Sequence, residues 1–143
     1  KDWSRKDSAR PINARGRRQA RLLVPILNAY GVTSLVSSTS TRCVATVLPY
    51  AQQEELPIDT HRLLSEEEGE NNAKGVGSLM RKIRAATLKT GESTAICVHR
   101  PVLPHILDAL DIAPATLVTG ELLVAHLTST GTVHALGRHR PQE

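Results

Sequence analysis

His99 and Arg100 stand directly after a short apolar run, Ser93 to Val98, and ahead of a segment with helical spacing. A strand that feeds straight into a helix leaves its last residue at the rim of a sheet. Beside it lie free helix amides and partial positive charge, which suit a phosphate. Arg42 falls early in a different helix. A guanidinium there opposes the helix dipole, and the placement makes sense if an anion is bound, since the Arg fork pairs bidentately with phosphate oxygens. Glu66 opens an acidic run with Glu67, Glu68 and Glu70, and one such carboxylate becomes a general acid if the site raises its pKa. Each residue also has a plainer reading: a packed histidine, a solvated arginine, a solvated acidic loop.

Other reactive side chains give weaker signals. Cys43 and Cys97 are too few for a disulfide framework or a zinc site, and their apolar contexts suggest two reduced, buried thiols. Cys97-Val98-His99-Arg100 does not resemble the phosphate-cradling loop that a nucleophilic cysteine would want. His126 and His134 can face each other across a hairpin, with no third ligand at metal spacing.

These residues need elements to hold them. Asn13 is a suitable N-cap for a helix ending at Tyr30 and Gly31, with Ala20, Leu23, Val24 and Leu27 on its buried face. Pro25 should kink or break it. A strand over Val32 to Ser38 then precedes a helix from about Ser40 to Gln52, and a short strand near Pro57 to His61 follows. Arg62 to Asn72 reads as a polar loop, and Ala73 to Leu88 as a third helix with Val76, Leu79, Met80 and Ile83 inward. Beyond the Ser93 to Val98 strand, Pro101 suits the start of a helix over Val102 to Leu110. Leu122 to Thr128 and Thr132 to Leu136 read as a hairpin turned by Ser129-Thr130-Gly131. Alternating strands and helices imply an α/β fold, a mostly parallel sheet covered on both faces, with the antiparallel hairpin added at one side. In such a sheet functional residues gather at the carboxyl edge of the strands. Ser37 to Arg42 and His99-Arg100 both occupy that kind of position.

The bulk numbers agree with one globular domain. The chain has 143 residues, 40% of them hydrophobic, with no Phe, one Trp and two Tyr, so aliphatic residues must build the core. No apolar run reaches the roughly 18 residues a membrane span needs, and no signal-peptide pattern opens the chain; a cytoplasmic setting is expected. The net charge of +4 is concentrated early, since eight of the 18 Lys and Arg lie at or before Arg21, against Asp2 and Asp7. With only Trp3 for stacking there, an anionic small substrate accounts for the charge better than nucleic acid does.

Four segments, in order, resemble the histidine phosphatase superfamily, the phosphoglycerate-mutase-like fold. Asp7-Ser8-Ala9-Arg10-Pro11-Ile12 with Gly16-Arg17-Arg18-Gln19-Ala20 is similar to the family's D-x-x-R-P-L…G-x-x-Q-A segment. Ser37 to Thr46 resembles its S-S-x-x-x-R-[AC]-x-x-T segment, Val98-His99 its second-histidine site, and Gly120 to Val124 a late strand. Within the family the sequence most resembles the small phosphatase domain fused behind MutT-type Nudix domains, and it is also similar to SixA-like protein-phosphohistidine phosphatases.

The resemblance implies a three-layer α/β/α sandwich, and hydrolysis of phosphomonoesters or nucleotide phosphates through phosphohistidine. Arg42 and His99 would then be the phosphate-binding pair that neutralises the equatorial oxygens, with Arg100 beside them, and Glu66 the acid for the leaving oxygen. Expected partners are a phosphorylated small molecule or nucleotide and a fused or associated Nudix domain. This domain would need no cofactor, and Mg would enter only with a Nudix domain.

The sequence departs from the family at its start. The nucleophilic histidine belongs to an Arg-His-Gly or Arg-His-Ala segment on the first strand, expected a little upstream of Lys1. The one Arg-His pair, Arg138-His139, lies at the wrong end. The expectation is a domain without its first strand, inactive as written. The alternatives are a degenerate, non-catalytic domain that binds nucleotide or supports a Nudix partner, and a SixA-like protein-phosphohistidine phosphatase.

Overall fold

The computed structural model describes residues 11–141. The Asp7–Arg10 part of the first motif, Trp3 and most of the charged start lie outside that range. The elements are α1 (Ala14–Ala29), β1 (Val32–Ser38), α2 (Thr41–Glu54), β2 (Ile58–His61), a 3-10 turn (Arg62–Leu64), α3 (Glu66–Gly69), α4 (Ala73–Thr90), β3 (Ser93–Cys97), α5 (Leu103–Ala109), β4 (Leu122–Leu127) and β5 (Val133–His139).

Three strands form a parallel sheet in the order β2-β1-β3, and β4 and β5 pair antiparallel as a separate hairpin. Central β1 carries the deepest burial, because both of its faces are covered. Leu35 packs with Leu23 and Leu27 of α1 and Tyr50 and Ala51 of α2. The next residue, Val36, points the other way and packs with Val76 and Met80 of α4 and Ile106 of α5. Successive strand side chains face opposite sides, so this one dipeptide defines a helix–sheet–helix sandwich. Burying each such aliphatic side chain contributes about 1.5–3 kcal/mol. Tyr50 is buried too, and its hydroxyl donates to the Val32 carbonyl at 2.6 Å, so no polar group is stranded.

The β1–β3 ladder contains an irregularity: Val32 pairs with Ser93 and Ser34 with Thr94, leaving Thr33 as an extra residue. From there the register runs unbroken to Ser37 opposite Cys97. Thr33 is exposed and its hydroxyl donates to Glu92 Oε2 at 2.8 Å.

Several element limits differ from expectation for identifiable reasons. Helix α1 runs through Pro25 without a break. The bond lost there would have reached the Arg21 carbonyl, and both residues are exposed, so that carbonyl is open to solvent. The expected polar loop after β2 contains the 3-10 turn and the single-turn α3, capped by Ser65, whose hydroxyl accepts from the Glu68 amide at 3.3 Å. Pro101 lies in a turn ahead of α5, and Pro104 is the proline in that helix's first turn. Strand β5 runs on past Leu136 to His139.

The hairpin docks through side chains. The Tyr30 hydroxyl and His139 Nε2 lie 2.6 Å apart and Leu122 packs against the α1–α2 core, while Arg138 ties β5 to the segment leading into β4, at Glu121 (3.6 Å) and the Thr116 carbonyl (3.1 Å). The rings of His126 and His134 are 6.2 Å apart, neighbours across the hairpin as anticipated. Among the described residues, no helix is long and apolar enough to cross a membrane.

Candidate active site

The carboxyl ends of β1 and β3 are adjacent, and the segments that follow them meet. From β1 come Ser37 and Ser38, both fully buried. The Ser37 hydroxyl donates to the Ser38 carbonyl at 2.8 Å. The Ser38 hydroxyl donates to Ser40 Oγ at 3.2 Å, accepts from the Ser40 amide at 3.3 Å, and lies 3.1 Å from His99 Nε2. Ser40 then caps α2 by accepting from the Cys43 amide at 3.3 Å. This chain of hydroxyls fixes the path from strand into helix, and with it the first turn of α2, which carries Arg42 and Cys43.

His99 is half-buried, two residues past the end of β3. Its Nε2 faces Ser38 and also lies 3.7 Å from Cys43 Sγ. The Cys43 thiol, foremost, pushes the His99 pKa above the usual 6.5; burial opposes this, the Arg42 charge also lowers it, and the Glu66 charge raises it. Both sequence-chosen charges therefore act on His99, one from α2 and one from α3. The acidic run resolves as well. Glu66 is half-buried whereas Glu67, Glu68 and Glu70 are exposed, and Glu68 is held outward by Arg62 Nε at 2.9 Å.

Arg100 departs from this group. It is exposed and its guanidinium donates to Thr119 Oγ1 at 2.9 Å, tying the turn after His99 to the segment ahead of the hairpin. Two open clefts, of about 250 and 290 Å³, lie elsewhere and include none of His99, Arg42 or Glu66.

Reading the sequence missed Ser38 and Cys43 as neighbours of His99. The double serine closing an apolar strand was the available signal for the first. The second depended on which face of β3 met α2. Cys43 sits well below the ordinary thiol range, chiefly through a contact with the Cys97 thiol and further through His99 and Ser38, against the opposing effect of burial.

The sequence profile of the histidine phosphatase superfamily (branch 1) matches residues 3–75, which include Arg42 and Glu66. The chain belongs to the histidine phosphatase superfamily. An 8-oxo-(d)GTP phosphatase of Mycolicibacterium smegmatis is 32% identical over 102 residues, 71% of this chain and 30% of the relative. The chain thus spans under a third of that relative's length. Among solved structures, the protein histidine phosphatase SixA complexed with tungstate superposes with a TM-score of 0.78 at 19% identity, covering 99% of this chain and 90% of that one. A SixA protein from Agrobacterium tumefaciens gives a TM-score of 0.55 at 19% identity, over 75% of this chain and 66% of that one. At such identities the structural likeness establishes the fold, a mixed α/β unit with a parallel sheet and a separate hairpin.

Proposed function

We propose that this domain hydrolyses phosphomonoesters, nucleotide phosphates among them, through a phosphohistidine intermediate, within a longer protein that includes or recruits a Nudix domain. The observation that carries this reading is the convergence of Arg42, Glu66 and Ser38 on His99 at the carboxyl edge of the sheet. With its pKa raised, His99 suits the cationic role. Beside Arg42 it would neutralise charge on the equatorial oxygens of the transferring phosphoryl group. An attacking imidazole must begin neutral, so the reading assigns the attack to a different histidine. Glu66, the half-buried member of its run, would protonate the leaving oxygen.

The name of the mycobacterial relative favours a nucleotide substrate. The SixA structure is complexed with tungstate, an oxyanion, which favours an anionic ligand for this fold. This reading has Arg42 and His99 supply the charge without a cofactor in this domain, Mg entering only with a Nudix partner, and it sets the protein in the cytoplasm. A second reading, removal of phosphate from phosphohistidine on proteins, is favoured by the extent of the SixA superposition. A third is a domain that binds nucleotide without turning it over.

One comparison tests these together. Phosphate release by the full-length protein is measured from 8-oxo-dGTP and its monophosphate, and from a phosphohistidine-bearing protein domain, with inorganic phosphate affinity measured by calorimetry. Faster release from the nucleotides supports the first reading, and faster release from the protein domain the second. Arg42→Ala should weaken phosphate binding about 10- to 100-fold, the loss expected when charge-assisted hydrogen bonds worth about 1.5–3 kcal/mol are removed. Unchanged affinity would show that the pocket lies elsewhere.

A further inference from the structure

The two cysteines, 54 positions apart in the chain, are brought to one spot by the sheet. In the β1–β3 register Leu35 pairs with Ala95, Val36 with Ile96 and Ser37 with Cys97. Leu35 and Ala95 belong to the core under α1 and α2, whereas Val36 and Ile96 belong to the core under α4 and α5. Strand alternation therefore turns Cys97 to the α2 side. Cys43 is on the buried face of α2, in its first turn. One helical turn later Thr46 also touches the Cys97 thiol. Cys97 thus sits beneath α2, against Cys43 and Thr46.

Two thiols serving only as small hydrophobes would be set among aliphatic groups. The neighbours here include Ser38, Thr46 and His99. Cys43 in addition lies 3.7 Å from the His99 imidazole and at the amide-rich, positive end of a 14-residue helix. This is the kind of surrounding that turns a thiol into a reactive thiolate. Cys97 retains its proton: the Cys43 thiol beside it and its own burial both raise its pKa. The pair therefore divides into a ready nucleophile and a resolving thiol.

We propose that Cys43 and Cys97 form a reversible dithiol–disulfide pair, a modification site for hydroperoxides set against His99. In the first step the Cys43 thiolate attacks one peroxide oxygen. The O–O bond breaks, hydroxide leaves and takes up a proton as water, and Cys43 becomes a sulfenic acid. In the second step the Cys97 sulfur, giving up its proton, attacks the Cys43 sulfur. The S–O bond breaks, a second water leaves, and the S–S bond is complete. Two thiols are oxidised by two electrons and one hydrogen peroxide is reduced to two waters.

Oxidation also changes the site. His99 faces Cys43 and Arg42 from α2, Glu66 from α3 and Ser38 from β1. Tying Cys43 to Cys97 removes the partner that does most to keep the imidazole protonated, and leaves burial and Arg42 opposed only by Glu66.

The test uses the whole chain treated with equimolar hydrogen peroxide. Peptide mass mapping locates the cross-link, and NMR follows the His99 titration before oxidation, after it, and after adding dithiothreitol. The expected result is an intramolecular Cys43–Cys97 disulfide, a His99 pKa lowered on oxidation, and recovery of both on reduction. Cys97→Ser should stop the reaction at a Cys43 sulfenic acid, trapped by a dimedone-type reagent, with the fold intact by circular dichroism. Unreacted thiols, cross-links only between molecules, or a disulfide that leaves the His99 titration unmoved would each overturn the proposal. None of these readouts requires phosphatase activity, so the proposal and the functional reading stand or fall separately.

Discussion

His99 combines two opposed influences: burial discourages its charge, and the Cys43 thiol more than compensates. Because its pKa in the folded chain lies above 6.5, the imidazolium contributes stability that is fully present below pH 6.5 and is lost as pH rises through the raised value. Histidine titration by NMR should accordingly show His99 titrating above 6.5. In Cys43→Ala that value should fall, since the leading cause of the rise is gone. A titration indifferent to Cys43 would mean that the contact does not hold the ring. Arg42 and His99 stood out in the sequence because each has a type and position that local chemistry can interpret, whereas Glu66 was singled out from its acidic run only by the family resemblance. Ser38 and Cys43 did not stand out, because their role comes from non-local contact, and nothing along the chain from Ser38 to His99 states how β1 and β3 are paired.

At the scale of elements, the placement of Glu66 depends on a glycine three residues later. A Cβ on Gly69 would run into the Leu63 carbonyl oxygen and lie 3.0 Å from Val102 Cγ2. Any other residue would push α3 away from the 3-10 turn and from the segment ahead of α5. Gly69→Ala should therefore cost about 1–3 kcal/mol, as overpacking of a filled interior does, read as a lower urea midpoint. It should also move the Glu66 carboxyl from its place near His99, so the His99 pKa should drop in the same variant. Stability loss with an unmoved histidine would separate α3 from the site. The long helices and the strands were readable from periodicity and, for α1, from the Asn13 cap. The single turn of α3 was hidden because four residues carry no periodicity, and an acidic run reads as solvated coil until Ser65 is seen to cap it.

For the molecule as a whole, the parallel sheet and the hairpin are joined by side chains, with no ladder between β3 and β4 among the described residues. The contact of Tyr30 with His139 links α1 to β5. Tyr30→Phe removes that hydrogen bond, worth roughly 1 kcal/mol. Amide exchange should accelerate across β4 and β5 while α1, β1 and α2 keep their protection. Uniform acceleration throughout the chain would show the two parts to be one cooperative unit. The sequence foresaw a hairpin at one side of a mostly parallel sheet. Its docking by Tyr30 and Leu122 could not be foreseen, because those contacts follow from how α1 lies across the sheet.

The extra residue at Thr33 acts as a phase corrector between two strands read in steps of two. Val32 and Ser93 start the ladder, and the offset then brings Leu35 opposite Ala95 and Val36 opposite Ile96, like facing like. Beyond it the frame has no further slack before Ser38 and His99. A single-residue change of length near Thr33 can be absorbed as a bulge gained or lost. The same change between Leu35 and Ser38 inverts every later side chain, sending apolar residues to the wrong layer and hydroxyls away from the imidazole. Variation in length is thus tolerated at the entrance to this strand and forbidden at its exit.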